Sequence, residues 1–180
     1  CPAFSEYCTP CSVVSLLQRR RYIVNVPPSP GLNYPETMSV LDQTADCVCL
    51  NLRGAARAVT QMYDEVLRPS GLKATQFSVL AAVATEGPAS MTVIAKALVM
   101  DRTTLTRNLK PLMDRGLVKA GKVADDRRQR RIVVTGEGKA ILAKALPLWK
   151  KAHEQIVIGI GFARWQGMVR LLDEAVRLTR

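Results

Sequence analysis

Between Asp101 and Arg115 the chain carries Arg102, Thr103, Thr106, Arg107 and Lys110 at spacings that bring them to one face of a helix. Leu105, Leu109 and Leu112 fall at i, i+4 and i+7 on the other face, where they would pack on a core. Guanidinium, ammonium and hydroxyl groups in this array suit the major groove of double-stranded DNA. Arginine reads guanine edges or phosphates, and threonine meets phosphates and thymine methyls. A solvated helix face has the same composition, so a second observation is needed. Arg127, Arg128, Arg130 and Arg131 lie within five residues, next to the β-prone runs Leu117–Val123 and Arg131–Val134. Arginine on a narrow hairpin fits a minor groove, where narrow A·T stretches concentrate negative potential. Asp126 is unsuited to DNA contact but suited to a bidentate pair that holds a neighbouring arginine. With Thr104, the candidate DNA contacts are Arg102, Thr103, Thr104, Thr106, Arg107 and Lys110 from the helix and Arg127, Arg128 and Arg130 from the hairpin.

The charge distribution agrees. The 180-residue chain has a net charge of +11, which nucleic acid, an anionic membrane surface or an acidic partner would each explain. Residues 38–100 carry five basic and five acidic residues, whereas residues 101–131 carry ten basic and four acidic ones. A uniformly basic surface does not concentrate charge in this way, but a phosphate-facing element does.

The elements that position these residues follow from periodicity. Val48, Leu52, Ala55, Val59, Met62 and Val66 recur at intervals of three and four, predicting an amphipathic helix over Leu41–Arg68 that Pro69-Ser70-Gly71 stops. A second helix is expected over Thr75–Thr85, closed by Glu86-Gly87-Pro88. Ser90 is placed to cap a short helix that turns Ile94, Ala95 and Leu98 inward. A turn through Val99-Met100 leads to Asp101, the expected N-cap of the helix ending near Arg115-Gly116. Pro111 should bend that helix mildly, outside its base-reading half. A hairpin with a charged tip over 124–130 follows. Thr135 with Gly138 opens a long helix that Gly159 and Gly161 interrupt, and a last helix is expected over Ala163–Leu178. Two helices joined by a tight turn and followed by a two-stranded wing predict a mainly α chain with a small β-wing, a winged helix-turn-helix.

The segments Met91-Thr92-Val93-Ile94-Ala95, Asp101 to Leu109, Arg115-Gly116-Leu117-Val118, and Asp126-Arg127-Arg128 running on to Val134-Thr135 resemble the MarR family, in that family's order. The resemblance covers essentially all of 40–180, and Asp126 and Arg128 match the family's wing Asp-x-Arg. It implies a homodimer built from the first and last helices, binding a pseudo-palindromic operator and repressing a nearby gene. The chain then divides into a segment 1–37 and a single domain 38–180. In that domain, 38–72 and 136–180 supply dimerisation helices, and 73–135 form the DNA-binding lobe. Residues 1–37 are rich in proline and precede Met38, which reads either as upstream sequence or as an N-terminal arm.

The signal sensed is less legible. Cys47 and Cys49 lie on the first helix, pointing roughly 200° apart, too far to pair within it. Cys49, expected to be partly buried beside Leu52, Ala56 and Tyr63, precedes Arg57 by eight residues and Tyr63 by fourteen. The hydroperoxide-sensing branch of the family keeps those spacings. Where that branch has further tyrosines, this chain has Arg53 and Phe77, so the resemblance carries over part of the site. Cys49, Cys47, Tyr63 and Arg53 are the candidate sensor residues. The alternative role of the two cysteines is packing at the core edge and dimer seam. A small aromatic effector would equally serve. His153, Trp149 and Trp165 read as helix-packing residues.

Cys8-Thr9-Pro10-Cys11 has C-x-x-C spacing but lacks a second ligand pair, so no metal site or cofactor is expected. His153 has no suitably spaced nucleophile and there is no Gly-rich phosphate loop, so enzymatic chemistry is not expected. With no run of 18 apolar residues and no signal-peptide pattern, the expectation is a cytoplasmic protein that does not engage the membrane. The rival reading is an architectural or anti-repressor dimer without specific DNA recognition.

Overall fold

A computed structural model of the chain describes residues 47–123 and 126–179, the side chains of 122–130 excepted. The leader over 1–37, its C-x-x-C pair and the expected helical residues 41–46 lie outside the described residues. The chain divides into two units, Cys1–Ala56 and Arg57–Arg180. The described part of the first is Cys47 and the opening turns of helix α1 (Val48–Leu67), where Val48, Leu50 and Leu52 are exposed.

In the second unit α1 ends on the buried Leu67 and passes into a single 3-10 turn, Arg68–Ser70. The sequence stop at Pro69 is therefore a turn of tighter helix, which proline's fixed φ permits at its start. Gly71, at φ 70°, reverses the chain. Helix α2 (Ala74–Glu86) follows, and its first amide, that of Ala74, donates to Asp64 Oδ1 at 2.6 Å. A carboxylate on α1 thus satisfies one of the orphan donors of α2. Phe77, Val79, Leu80 and Val83 are the buried residues of α2.

Strand β1 (Ala89–Ser90) leads into α3 (Met91–Ala97), where the Ser90 hydroxyl accepts from the Val93 amide. Helix α4 (Arg102–Asp114) is capped by Asp101 and ends at Arg115, with Gly116 at φ 68° turning the chain out. Pro111 sits inside α4 and the helix continues through it. Strands β2 (Val118–Val123) and β3 (Asp126–Val134) form the wing, and β1 adds to β3, giving an antiparallel sheet in the order β1-β3-β2. β3 starts five residues earlier than the periodicity predicted, at Asp126 and not at Arg131. Lys122 faces Arg130 while Val123 faces Asp126, so Arg127, Arg128 and Gln129 are an insertion in the register. The wing residues expected in a loop tip are instead a bulged part of a strand. Ala124 and Asp125 lie outside the described residues.

Helix α5 (Gly136–Ile160) opens on Thr135, whose hydroxyl accepts from the Gly138 amide. A Cβ on Gly138 would overlap the Leu117 carbonyl oxygen, so glycine lets α5 start against the root of the wing. Gly159 lies inside α5, and Gly161 alone breaks it, at φ 89°. Glycine lowers helix propensity by about 1 kcal/mol, too little to end an otherwise favourable run by itself. Helix α6 (Phe162–Leu178) completes the described chain. The core of this unit gathers Leu80 and Val83 of α2, Ile94 of α3, Leu105, Leu109 and Leu112 of α4, Val118 and Ile132 of the sheet and Ala145 of α5.

Candidate nucleic-acid interface

Core packing orients α4. Leu105, Leu109 and Leu112 are essentially fully buried, and truncating any of them to alanine would cost about 2–5 kcal/mol. Their burial turns Arg102, Thr103, Thr106, Arg107 and Lys110 outward, and all five are exposed. The start of the helix is set by Asp101, which accepts from the Thr104 hydroxyl at 2.6 Å and from the Thr104 amide at 2.8 Å. These two bonds, the hydroxyl first, hold the Asp101 carboxyl below its ordinary value.

The candidate contacts are thereby sorted. Thr104 is half-buried and its hydroxyl is committed to the cap, which makes it an organiser of the helix start. The Thr106 hydroxyl donates back to the Arg102 carbonyl at 2.8 Å, and Asn108 Nδ2 donates to the Thr104 carbonyl at 2.9 Å. Lys110 Nζ pairs with Asp114 at 3.0 Å on the exposed face. An exposed i,i+4 pair is worth a fraction of a kcal/mol, so a phosphate can displace the carboxylate at little cost. Arg102 and Arg107 form no ion pair among the described residues and are left with free guanidinium groups.

At the wing, the backbone places Arg127, Arg128 and Arg130 on β3, while their side chains and that of Asp126 lie outside the described residues. Arg131, grouped with them on sequence, has a different task. Its Nη1 donates to the Pro88 carbonyl at 3.1 Å, fastening β3 to the loop before β1. Sequence reading missed this, because spacing alone does not reveal that β1 joins the wing.

The candidate sensor residues separate. Cys47 and Cys49 are both exposed, which corrects the expected partial burial of Cys49. The stripe beside Cys49 is itself on the surface, with Leu52 exposed. Arg53 is likewise exposed. Tyr63, in the second unit, directs its hydroxyl toward His153 Nδ1 at 3.5 Å, and burial raises its pKa. His153 stacks on Trp149 with centroids 5.1 Å apart and meets Trp165 edge-on at 5.4 Å. Trp149 in turn stacks on Phe77 at 5.9 Å. This column joins α2, α5 and α6, as the helix-packing reading of His153, Trp149 and Trp165 expects. Among the described residues no group of His, Cys, Asp or Glu is arranged to hold a metal, and no helix is long and apolar enough to cross a membrane.

Comparison with known proteins points the same way. The sequence profile of the MarR family matches residues 70–129. The transcriptional regulator HosA of Escherichia coli O157:H7 is 32% identical over 82 residues, spanning 46% of this chain and 61% of HosA. The chain therefore matches less than two thirds of the length of the curated relatives. The structure of the transcriptional regulator MosR of M. tuberculosis in complex with DNA is 39% identical, with a TM-score of 0.65 over 75% of this chain and 99% of that one. The Bordetella bronchiseptica regulator BpsR, whose DNA binding is regulated by 6-hydroxynicotinic acid, is 25% identical, with a TM-score of 0.66 over 73% of this chain and 94% of BpsR.

Proposed function

The chain belongs to the MarR family, and from that premise we propose that it is a sequence-specific, DNA-binding transcription regulator that works as a homodimeric repressor. The observation that carries the reading is the outward face of α4: five exposed groups of DNA-contacting type set opposite three buried leucines. Helix α4 enters a major groove with Arg102 and Thr103 leading, Arg107 and Lys110 engage phosphates, and the wing strand brings Arg128 to the adjacent minor groove.

Homodimer formation uses the first and last helices. α6 exposes Phe162, Met168, Val169, Leu171, Leu172 and Leu178. So many large apolar groups exposed on one helix mark a protein interface. Val59 on α1 is exposed too. Two copies present two α4 helices to successive half-sites of a pseudo-palindromic operator.

Release from the operator follows binding of a small effector or modification of a cysteine. The first is supported by the relative BpsR, which responds to an aromatic acid, and the second by the solvent access of Cys47 and Cys49.

The test compares binding to the protein's own upstream region with binding to random DNA at physiological salt. A specific regulator prefers the former by about a thousandfold or more. A ratio near one means the chain is an architectural or anti-repressor dimer, and the proposal fails.

A further inference from the structure

Only Gly116 and Leu117 stand between Arg115, the C-cap of α4, and Val118, the first residue of β2. Gly116 lies at φ 68°, where glycine is permissive, so this link has little stiffness of its own. Its restraint comes from within α4 and from the far end of the wing. Leu117 is buried, and its amide donates to the Leu112 carbonyl of α4 at 2.9 Å. Val118 pairs with Val134 at the foot of the β2–β3 ladder, and Thr135 follows directly. The Thr135 amide donates to the Leu117 carbonyl at 3.0 Å. Its hydroxyl donates to the Gly116 carbonyl at 2.7 Å, an ordinary O–H···O distance, and lies 3.2 Å from the Leu117 carbonyl oxygen. The same hydroxyl oxygen accepts from the Gly138 amide at 3.1 Å. One half-buried residue thus joins the link out of α4, the root of the wing and the first turn of α5. An N-cap needs only the acceptor half of this arrangement. The donor half, aimed at the Gly116 carbonyl, has another task.

We propose that Thr135 is a positioning residue: by bonding the Gly116 carbonyl it sets the angle between the wing and α4, and with it the separation of the two parts that meet adjacent grooves. The consequence for DNA rests on the proposed interface; the angle itself does not. A wing whose angle is less restrained loses more freedom on binding, a cost that the bond removes in advance. Gly138 belongs to the same device, since a Cβ there would overlap the Leu117 carbonyl oxygen and displace the root of the wing.

Three full-chain variants divide the two roles of the hydroxyl. Thr135→Ser keeps donor and acceptor, Thr135→Asp keeps the cap of α5 but has no proton to donate once ionised, and Thr135→Val keeps the shape and loses both. Amide residual dipolar couplings report the angle of the wing without DNA. Those of the ladder residues Val118–Gly121 and Arg131–Val134 are expected to fit one alignment with those of α4 in the wild type and in Thr135→Ser. They are expected to depart from it in Thr135→Asp and Thr135→Val. Thr135→Asp carries the test where Thr135→Val does not fold. Couplings of Thr135→Asp that match the wild type overturn the proposal, since capping alone then suffices. Operator titrations give the second readout. Thr135→Val is expected to weaken binding about tenfold in the wild-type chain but less than about twofold when Arg128 is already alanine, because both act through one wing. Equal loss in the two backgrounds means a general loss of structure and overturns the proposal as well. Couplings that shift as expected in a chain without DNA specificity leave Thr135 its role and remove the regulator. Specific DNA binding with unshifted couplings does the reverse.

Discussion

The Arg115 guanidinium donates to the Gly71 carbonyl at 2.8 Å, so the C-cap of α4 is fastened to the turn that closes α1. That carbonyl belongs to a glycine at φ 70° whose amide in turn donates to the Arg68 carbonyl, so the turn and the end of α4 form one unit. The bond gives α4 a fixed lower end, just as Asp101 gives it a fixed upper one.

Arg115→Met keeps the aliphatic stem and removes the donor. A charged hydrogen bond to an exposed carbonyl is worth about 1 kcal/mol, which corresponds to a fall of about 2–4 °C in melting temperature. Operator affinity should fall several-fold, with no change in the oligomeric state by sedimentation. Loss of Tm with unchanged DNA affinity would show that the anchor serves stability alone.

Asp101 makes the start of α4 pH-dependent. Its carboxyl is held below the ordinary value by the Thr104 hydroxyl and amide, so the unfolded state takes up a proton before the folded one. The stabilisation is therefore fully present above the ordinary carboxylate range and is lost as pH falls through the lowered folded value. Asp101→Asn retains a capping acceptor without the titration. Melting curves of the two proteins should run parallel near neutrality and converge in acid, with the wild type losing more. Parallel behaviour down to the lowest pH would remove Asp101 from the acid response.

Val99 occupies the turn between α3 and α4 with φ 55°, a left-handed conformation that β-branched residues rarely adopt. It is 55% exposed, so little burial compensates the strain. Val99→Asn, which tolerates this region, should stabilise by about 1 kcal/mol. A rise of about 2–4 °C in a thermal scan checks it. A fall would show that the valine side chain contributes more to the turn than its backbone strain costs.

Arg128→Ala tests the wing. Loss of the proposed minor-groove contact should weaken operator binding about tenfold or more and lower the slope of log affinity against log salt by about 1. Dimerisation should be unaffected. Unchanged affinity would take the wing out of recognition.

The thiol route is tested by Cys49→Ser. If Cys49 is the sensor, peroxide releases the wild type from DNA and leaves this variant bound, with full rescue of the wild type by reductant. Release that persists in the variant moves the signal to Cys47 or to a non-thiol ligand.

Both caps of the helix-turn-helix were legible before any coordinates, because Ser90 and Asp101 are strong N-cap types placed just ahead of apolar periodicity. So was the inward face of α4, since a leucine stripe at helical spacing has few other uses. Boundaries were less so. The strand content of residues 126–130 escaped because arginine-rich sequence has weak β-propensity, and only the pairing of Asp126 with Val123 and of Arg130 with Lys122 ties this stretch to β2. Gly159 reads as a break, yet α5 continues through it, because one glycine lowers helix propensity by only about 1 kcal/mol, too little to end the run.

By itself, the sequence determined which face of α4 carries the basic and hydroxyl groups, where the short helices begin, and that the charge concentrates between residues 101 and 131. These are properties of neighbours within a few residues. The tertiary structure alone decided which of those groups are free. It assigned Thr104 to the cap, Lys110 to Asp114, Arg115 to Gly71 and Arg131 to Pro88, leaving Arg102 and Arg107 unpaired on α4. It also brought Tyr63 to His153, 90 residues away, and left Cys49 on the surface. A side chain's partner depends on where distant backbone passes, and periodicity carries no information about that.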